Sequence, residues 1–154
     1  MSSSRATGFP DVVIGTTRRR DELSADLDAV GATAFTGRTS ILRRAAALLA
    51  EELPTAVDRL VTTGDADAVA LTTAVALHTG LPFAVVAGKR PARGDLQRGD
   101  RVAVLVPIAD EELTTALAEH VRAAGAEPVA TLSVLAPDGA FALFPSRSTS
   151  ENTP

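Results

Sequence analysis

A chain of 154 residues that is 45% hydrophobic and contains no Cys is one domain's worth of sequence, long enough for a single sizeable core. The missing Cys excludes disulfides, thiolate metal sites and a Cys nucleophile. A formal net charge of −4, with five Phe and neither Trp nor Tyr, argues against general affinity for a nucleic acid backbone and against stacking on bases. No apolar run reaches membrane-spanning length and the first residues lack a charged-then-apolar export pattern, so a cytoplasmic protein is expected.

Residues 1–10 are rich in small polar side chains and are expected to be flexible. Asp11-Val12-Val13-Ile14-Gly15 predicts a short strand, broken by Arg18-Arg19-Arg20 and then Asp21-Glu22. The triple Arg reads either as an anion contact or as a solvated run neutralised by the acids beside it, and the second reading is favoured. Glu22 to Val30 predicts a short helix ending at Gly31, and Ala32 to Phe35 a short extended piece.

From Thr39 the periodicity sharpens. Thr39 or Ser40 is expected to cap a helix whose apolar face is Ile41, Leu42, Ala45, Leu48 and Leu49, with Pro54 as its stop. Arg59 to Thr63 reads as a strand, and Gly64-Asp65-Ala66-Asp67 leads into an Ala-, Val- and Leu-rich helix ending at Thr79-Gly80. Phe83 to Ala87 is a second buried strand. Gly88 to Asp100 reads as a loop carrying Lys89, Arg90, Arg93 and Arg98 against Asp95.

Arg101 to Leu135 organises the rest. Arg101 to Val106 predicts a buried strand, Pro107-Ile108-Ala109 a connection, and Asp110-Glu111-Glu112 the opening of a helix that closes at Ala124-Gly125. Val129 to Leu135 follows as another strand. Strand, helix and strand in this order connect right-handedly in a parallel sheet. Ligands of such sheets sit beyond the carboxyl ends of the strands, so chemistry is expected at Pro107 to Glu112. Pro137-Asp138-Gly139 is a turn signal, which makes Phe141 to Phe144 a hairpin partner for the last strand. Residues 11–145 therefore read as one α/β domain, a mostly parallel sheet flanked by helices, and residues 146–154 as a disordered polar tail.

Several of these segments resemble the type I phosphoribosyltransferases, and among them the orotate phosphoribosyltransferases. Ala74-Val75-Ala76-Leu77-His78-Thr79-Gly80-Leu81-Pro82-Phe83 is similar to that family's helix-to-strand passage. Gly94-Asp95-Leu96-Gln97-Arg98-Gly99-Asp100-Arg101-Val102 is similar to its approach to the central strand. Arg122-Ala123-Ala124-Gly125-Ala126-Glu127 resembles the end of its crossover helix, and Thr36-Gly37-Arg38 its N-terminal Ser-Gly-Arg segment. The likeness runs from about Phe35 to Leu135. It implies a parallel sheet flanked by helices and a homodimer.

The resemblance also implies where function has been lost. Between central strand and helix the family places two acids that hold ribose hydroxyls, then a Gly-rich loop whose N–H groups cradle the 5-phosphate of phosphoribosyl pyrophosphate. Here that stretch is Val106-Pro107-Ile108-Ala109-Asp110-Glu111-Glu112, one residue shorter, with Val106 and Pro107 in place of the acids and no Gly. Pro107 removes a donor and fixes φ. A helix N-terminus favours an anion by roughly 0.3–1 kcal/mol, up to about 2 when partly buried. One carboxylate about 5 Å from a phosphate charge, at an effective dielectric of about 20, opposes it by roughly 3 kcal/mol. Repulsion wins. The family's pyrophosphate turn has likewise become Gly64-Asp65-Ala66-Asp67-Ala68, with Asp67 and Ala68 near its paired glycines. Lys89, the chain's one Lys, falls with Arg90 at the start of a shortened catalytic loop.

The degenerate cosubstrate site is thus expected at Pro107, Ala109, Asp110, Glu111, Glu112, Asp65 and Asp67, with Lys89, Arg90 and Arg93 as possible anion contacts that lie across it. The acids can be helix-capping residues or a metal site, and the capping reading is favoured. His78 and His120 have no second ligand or nucleophile at useful spacing, and no Gly-x-Ser-x-Gly elbow occurs. No catalytic residue, metal or cofactor is expected, nor any nucleic acid or membrane partner. The leading expectation is a non-catalytic member acting in protein association or small-ligand sensing. The alternative is an active phosphoribosyltransferase of nucleotide metabolism with altered cosubstrate binding, which would use Mg²⁺.

Overall fold

The computed structural model describes residues 18–27, 35–87, 90–93, 96–137 and 141–147, the backbone alone for 90–93 and 141–147. The strand expected at Asp11 to Gly15 lies outside the described residues, as does Lys89. A six-stranded sheet runs in the order β3-β2-β1-β4-β5-β6. Its strands are β1 (Arg59–Thr63), β2 (Phe83–Ala87), β3 (Arg90–Arg93), β4 (Arg101–Ile108), β5 (Glu127–Leu135) and β6 (Phe141–Arg147). The four inner strands are parallel, and β3 and β6 close the two edges antiparallel.

Period-two alternation divides the strands between two core layers. Leu60, Ala103, Leu105 and Leu132 face a layer built with α1 (residues 18–27), α2 (Thr39–Glu52) and α3 (Ala66–Thr79). Val61, Val102, Val104 and Val106 face the other, where Leu117 and Val121 of α4 (Glu111–Ala123) cover them. Each fully buried Leu or Val in these layers contributes about 1.5–3 kcal/mol of burial free energy. No helix among the described residues is long and apolar enough to cross a membrane.

The ends of the helices show why the chain turns where it does. Gly80 takes φ 80°, the left-handed conformation that favours glycine, and its N–H bonds the Ala76 carbonyl to close α3. Leu53 is extended ahead of Pro54, which ends α2. The start of α2 differs from expectation, because its cap is Arg38 and no side chain caps it. A 3₁₀ turn, Phe35–Gly37, supplies the entry: Arg38 N–H bonds the Phe35 carbonyl at 3.1 Å, and Arg38 carbonyl accepts from Leu42 at 2.8 Å. Thr39 is already helical, and Phe35, 2% exposed, begins that turn.

Four further expectations change. The first helix already includes Arg18, the first described residue, so the triple Arg lies inside it. Arg19 pairs with Glu51 of α2 at 2.7 Å, Asp26 pairs with Arg44, and Leu23 and Leu27 are buried beneath. The segment read as a loop from Gly88 contains β3, whose Arg90, Pro91 and Arg93 stand opposite Ala87, Val86 and Val85. A strand containing Pro belongs at a sheet edge, where a missing donor breaks no inner ladder. Central strand β4 continues through Pro107 to Ile108. Pro107 stands beyond Val104, where pairing of β4 with β1 stops, while β5 continues alongside to pair Leu135 with Ile108. Finally β6 runs to Arg147, beyond the domain end expected at residue 145.

Candidate functional site

The carboxyl ends of β1 and β4, with the helices that follow them, form a cleft of about 560 Å³. Its walls bring together most of the residues expected there: Asp65, Asp67, Pro107, Ala109, Asp110 and Glu111. Glu112 is exposed in the first turn of α4 but does not line the cleft. Two turns separated by more than forty residues meet here because β1 and β4 are parallel neighbours and each hands directly into a helix.

The α4 turn uses part of its polar groups internally. Asp110 is the cap: its carboxylate accepts from Leu113 N–H at 3.1 Å and its carbonyl from Thr114 N–H at 2.9 Å. Ala109 N–H donates to the Leu135 carbonyl at 2.8 Å, which binds the connection to the end of β5. Pro107 has no N–H to offer. The capping reading therefore holds for Asp110, and Glu111 and Glu112 place further negative charge in the same first turn.

At the α3 turn the arrangement differs. Asp65 occupies the cap position without a side-chain bond to the helix, its carboxylate accepting instead from the Thr63 hydroxyl at 3.2 Å. Asp67, one residue into the helix, accepts from the hydroxyl of Thr36 in the 3₁₀ turn. None of Asp65, Asp67, Asp110, Glu111 and Glu112 has a cationic partner among the described residues. No three carboxylates or imidazoles converge among those residues to hold a metal ion.

Arg90 and Arg93 do not stand over this cleft through their backbone. They lie in β3, separated from β1 by β2, and β3 runs back from the carboxyl edge toward Arg93 opposite Val85. Their side chains, like Lys89, are outside the described residues. His120 lines a second groove of about 840 Å³, between α4 and the ends of β1 and β2, which shares Thr63, Asp65 and Leu113 with the first. His78 lies elsewhere, beside a groove between α2 and α3. Thr63, Leu113 and Pro137 also line the main cleft, and sequence reasoning did not single them out. Thr63 was reachable, as the last residue of a strand at the carboxyl edge; Thr36 was not, since its role needs the fold to bring it to Asp67.

No protein-family model matches this chain, and no curated protein matches it. Solved structures do. The Mycobacterium tuberculosis orotate phosphoribosyltransferase in complex with inorganic phosphate is 17% identical, with a TM-score of 0.66 over 77% of this chain and 83% of that one. Trypanosoma brucei adenine phosphoribosyl transferase, in complex with AMP, pyrophosphate and ribose-5-phosphate, gives a TM-score of 0.58 at 14% identity. That match covers 71% of this chain and 59% of the other. Leishmania donovani UMP synthase gives 0.55 at 22% identity, over 65% of this chain but only 23% of the longer protein. The chain thus spans about a quarter of one of these proteins and under two thirds of another. At such low identity these matches speak for the fold alone, and this chain has the type I phosphoribosyltransferase fold.

Proposed function

We propose that this chain is a non-catalytic phosphoribosyltransferase-fold protein that acts by protein association or by sensing a small ligand, as a cytoplasmic homodimer. The observation that carries the reading is the state of the donors between β4 and α4. A phosphate cradle needs free N–H groups. Pro107 has none, Ala109 gives its own to Leu135, and Leu113 gives its own to the Asp110 carboxylate, so any donor left in this turn belongs to Asp110, Glu111 or Glu112 and stands beside a carboxylate.

Charge supports the same conclusion. Four carboxylates, those of Asp65, Asp67, Asp110 and Glu111, line the cleft, and among the described residues no Lys or Arg does. Against roughly 0.3–1 kcal/mol of helix-terminus attraction, each nearby carboxylate opposes a phosphate by about 3 kcal/mol before screening. Residues of this kind do not fit a magnesium–phosphoribosyl pyrophosphate complex. The Mg²⁺ would find carboxylates, but among the described residues the phosphates would find neither cations nor the donors of a Gly-rich loop.

Calorimetric titration with phosphoribosyl pyrophosphate, with and without Mg²⁺, tests this directly. No saturable heat is expected in either condition. Saturable binding, or orotidylate formed from orotate and phosphoribosyl pyrophosphate and abolished by mutation in the cleft, would replace this reading with the active enzyme. The homodimer is tested separately by light scattering at micromolar concentrations, where a strictly monomeric mass would remove it.

A further inference from the structure

No further inference is drawn: the strongest candidate, the groove of about 840 Å³ between α4 and the carboxyl ends of β1 and β2, where Asp65, Glu119 and His120 stand among apolar walls, shares Thr63, Asp65 and Leu113 with the cleft already described, and nothing among the described residues shows what would fill it.

Discussion

Both ends of the parallel sheet carry acids, and they treat them in opposite ways. At the amino end, where β1 and β4 begin, each Asp is tied down. Asp100 takes the Arg59 guanidinium at 2.9 Å and the Gln97 N–H at 3.0 Å, with both ion-pair side chains at most 15% exposed. Asp58 accepts from Arg101 N–H at 2.9 Å, and Arg101 Nε donates to the Ala56 carbonyl at 3.1 Å. Gly99 N–H bonds the Gly125 carbonyl at 2.8 Å, which joins the start of β4 to the turn before β5. At the carboxyl end, the acids face a cleft with no cation among the described residues. A protein uses one end to hold its strands in register and leaves the other exposed, and in this sheet class the exposed end is the one that meets ligands.

The comparison breaks most readily at the amino end. Arg59→Ala leaves the Asp100 carboxylate nearly buried without its cation, a loss of about 3 kcal/mol, at the low end for a buried pair because some solvent reaches it. The shift in the urea midpoint measures it. Acid should erode the same contact. Burial alone would raise the Asp100 pKa, but the Arg59 hydrogen bond, the Gln97 N–H and the Arg59 charge outweigh burial and bring it below 3.8. A lowered folded pKa stabilises above the unfolded value and loses that contribution as pH falls through the folded one. The wild type should therefore lose stability from this group below about pH 4, and Asp100→Asn should flatten that arm while being weaker at pH 7. Equal acid sensitivity in wild type and variant would exclude Asp100 as the source.

The contrast between the two ends was half legible in the sequence. The βαβ unit from Arg101 to Leu135 could be read because two apolar runs, an Asp cap and a terminal Gly each announce themselves locally. The position of the cleft followed from that unit and the rule for parallel sheets. Arg90-Pro91-Ala92-Arg93 could not be read as a strand, because it has no apolar alternation and is defined only by pairing with β2. The start of α1 was missed because three successive Arg read as a breaker, whereas Arg19 gains Glu51 of α2 as a partner. Extension of β4 through Pro107 went unseen for a similar reason: β5 supplies the ladder on its other side.

Within the carboxyl end, the two helix-opening acids should separate. Asp110→Ala removes a carboxylate that accepts from Leu113, and should cost about 1 kcal/mol. Asp65→Ala removes one that makes no cap bond and should cost much less. Chemical denaturation of both variants under one buffer checks the order. Equal losses would mean that the Thr63 hydroxyl bond of Asp65 is worth as much as the Asp110 cap.

A comparable gain is expected in the middle of α3, which spans the distance between the two ends. Thr72 is fully buried and its hydroxyl has no partner among the described residues. An unsatisfied buried hydroxyl carries a desolvation cost of about 1–3 kcal/mol. Thr72→Val keeps the shape and removes that cost, so it should raise stability by about 1 kcal/mol. A loss instead would reveal an unseen water or partner holding the hydroxyl.

The smallest effect concerns the unpaired acids themselves. Asp65 and Glu111 line the same cleft and are both exposed, and like charges on neighbouring helix ends repel through solvent. Asp65→Asn and Glu111→Gln together should raise the melting temperature slightly at low ionic strength, corresponding to roughly 0.5 kcal/mol or less. At 1 M salt, where the screening length falls to about 3 Å, the difference should vanish. Arg59→Ala should keep most of its cost at that salt concentration, because a nearly buried pair is screened far less than an exposed one. The salt dependence of the two variants thus reads the difference between the ends directly. If the neutralised pair were less stable than wild type at low salt, the cleft acids would have favourable partners, and the reading of an unneutralised carboxyl end would fall.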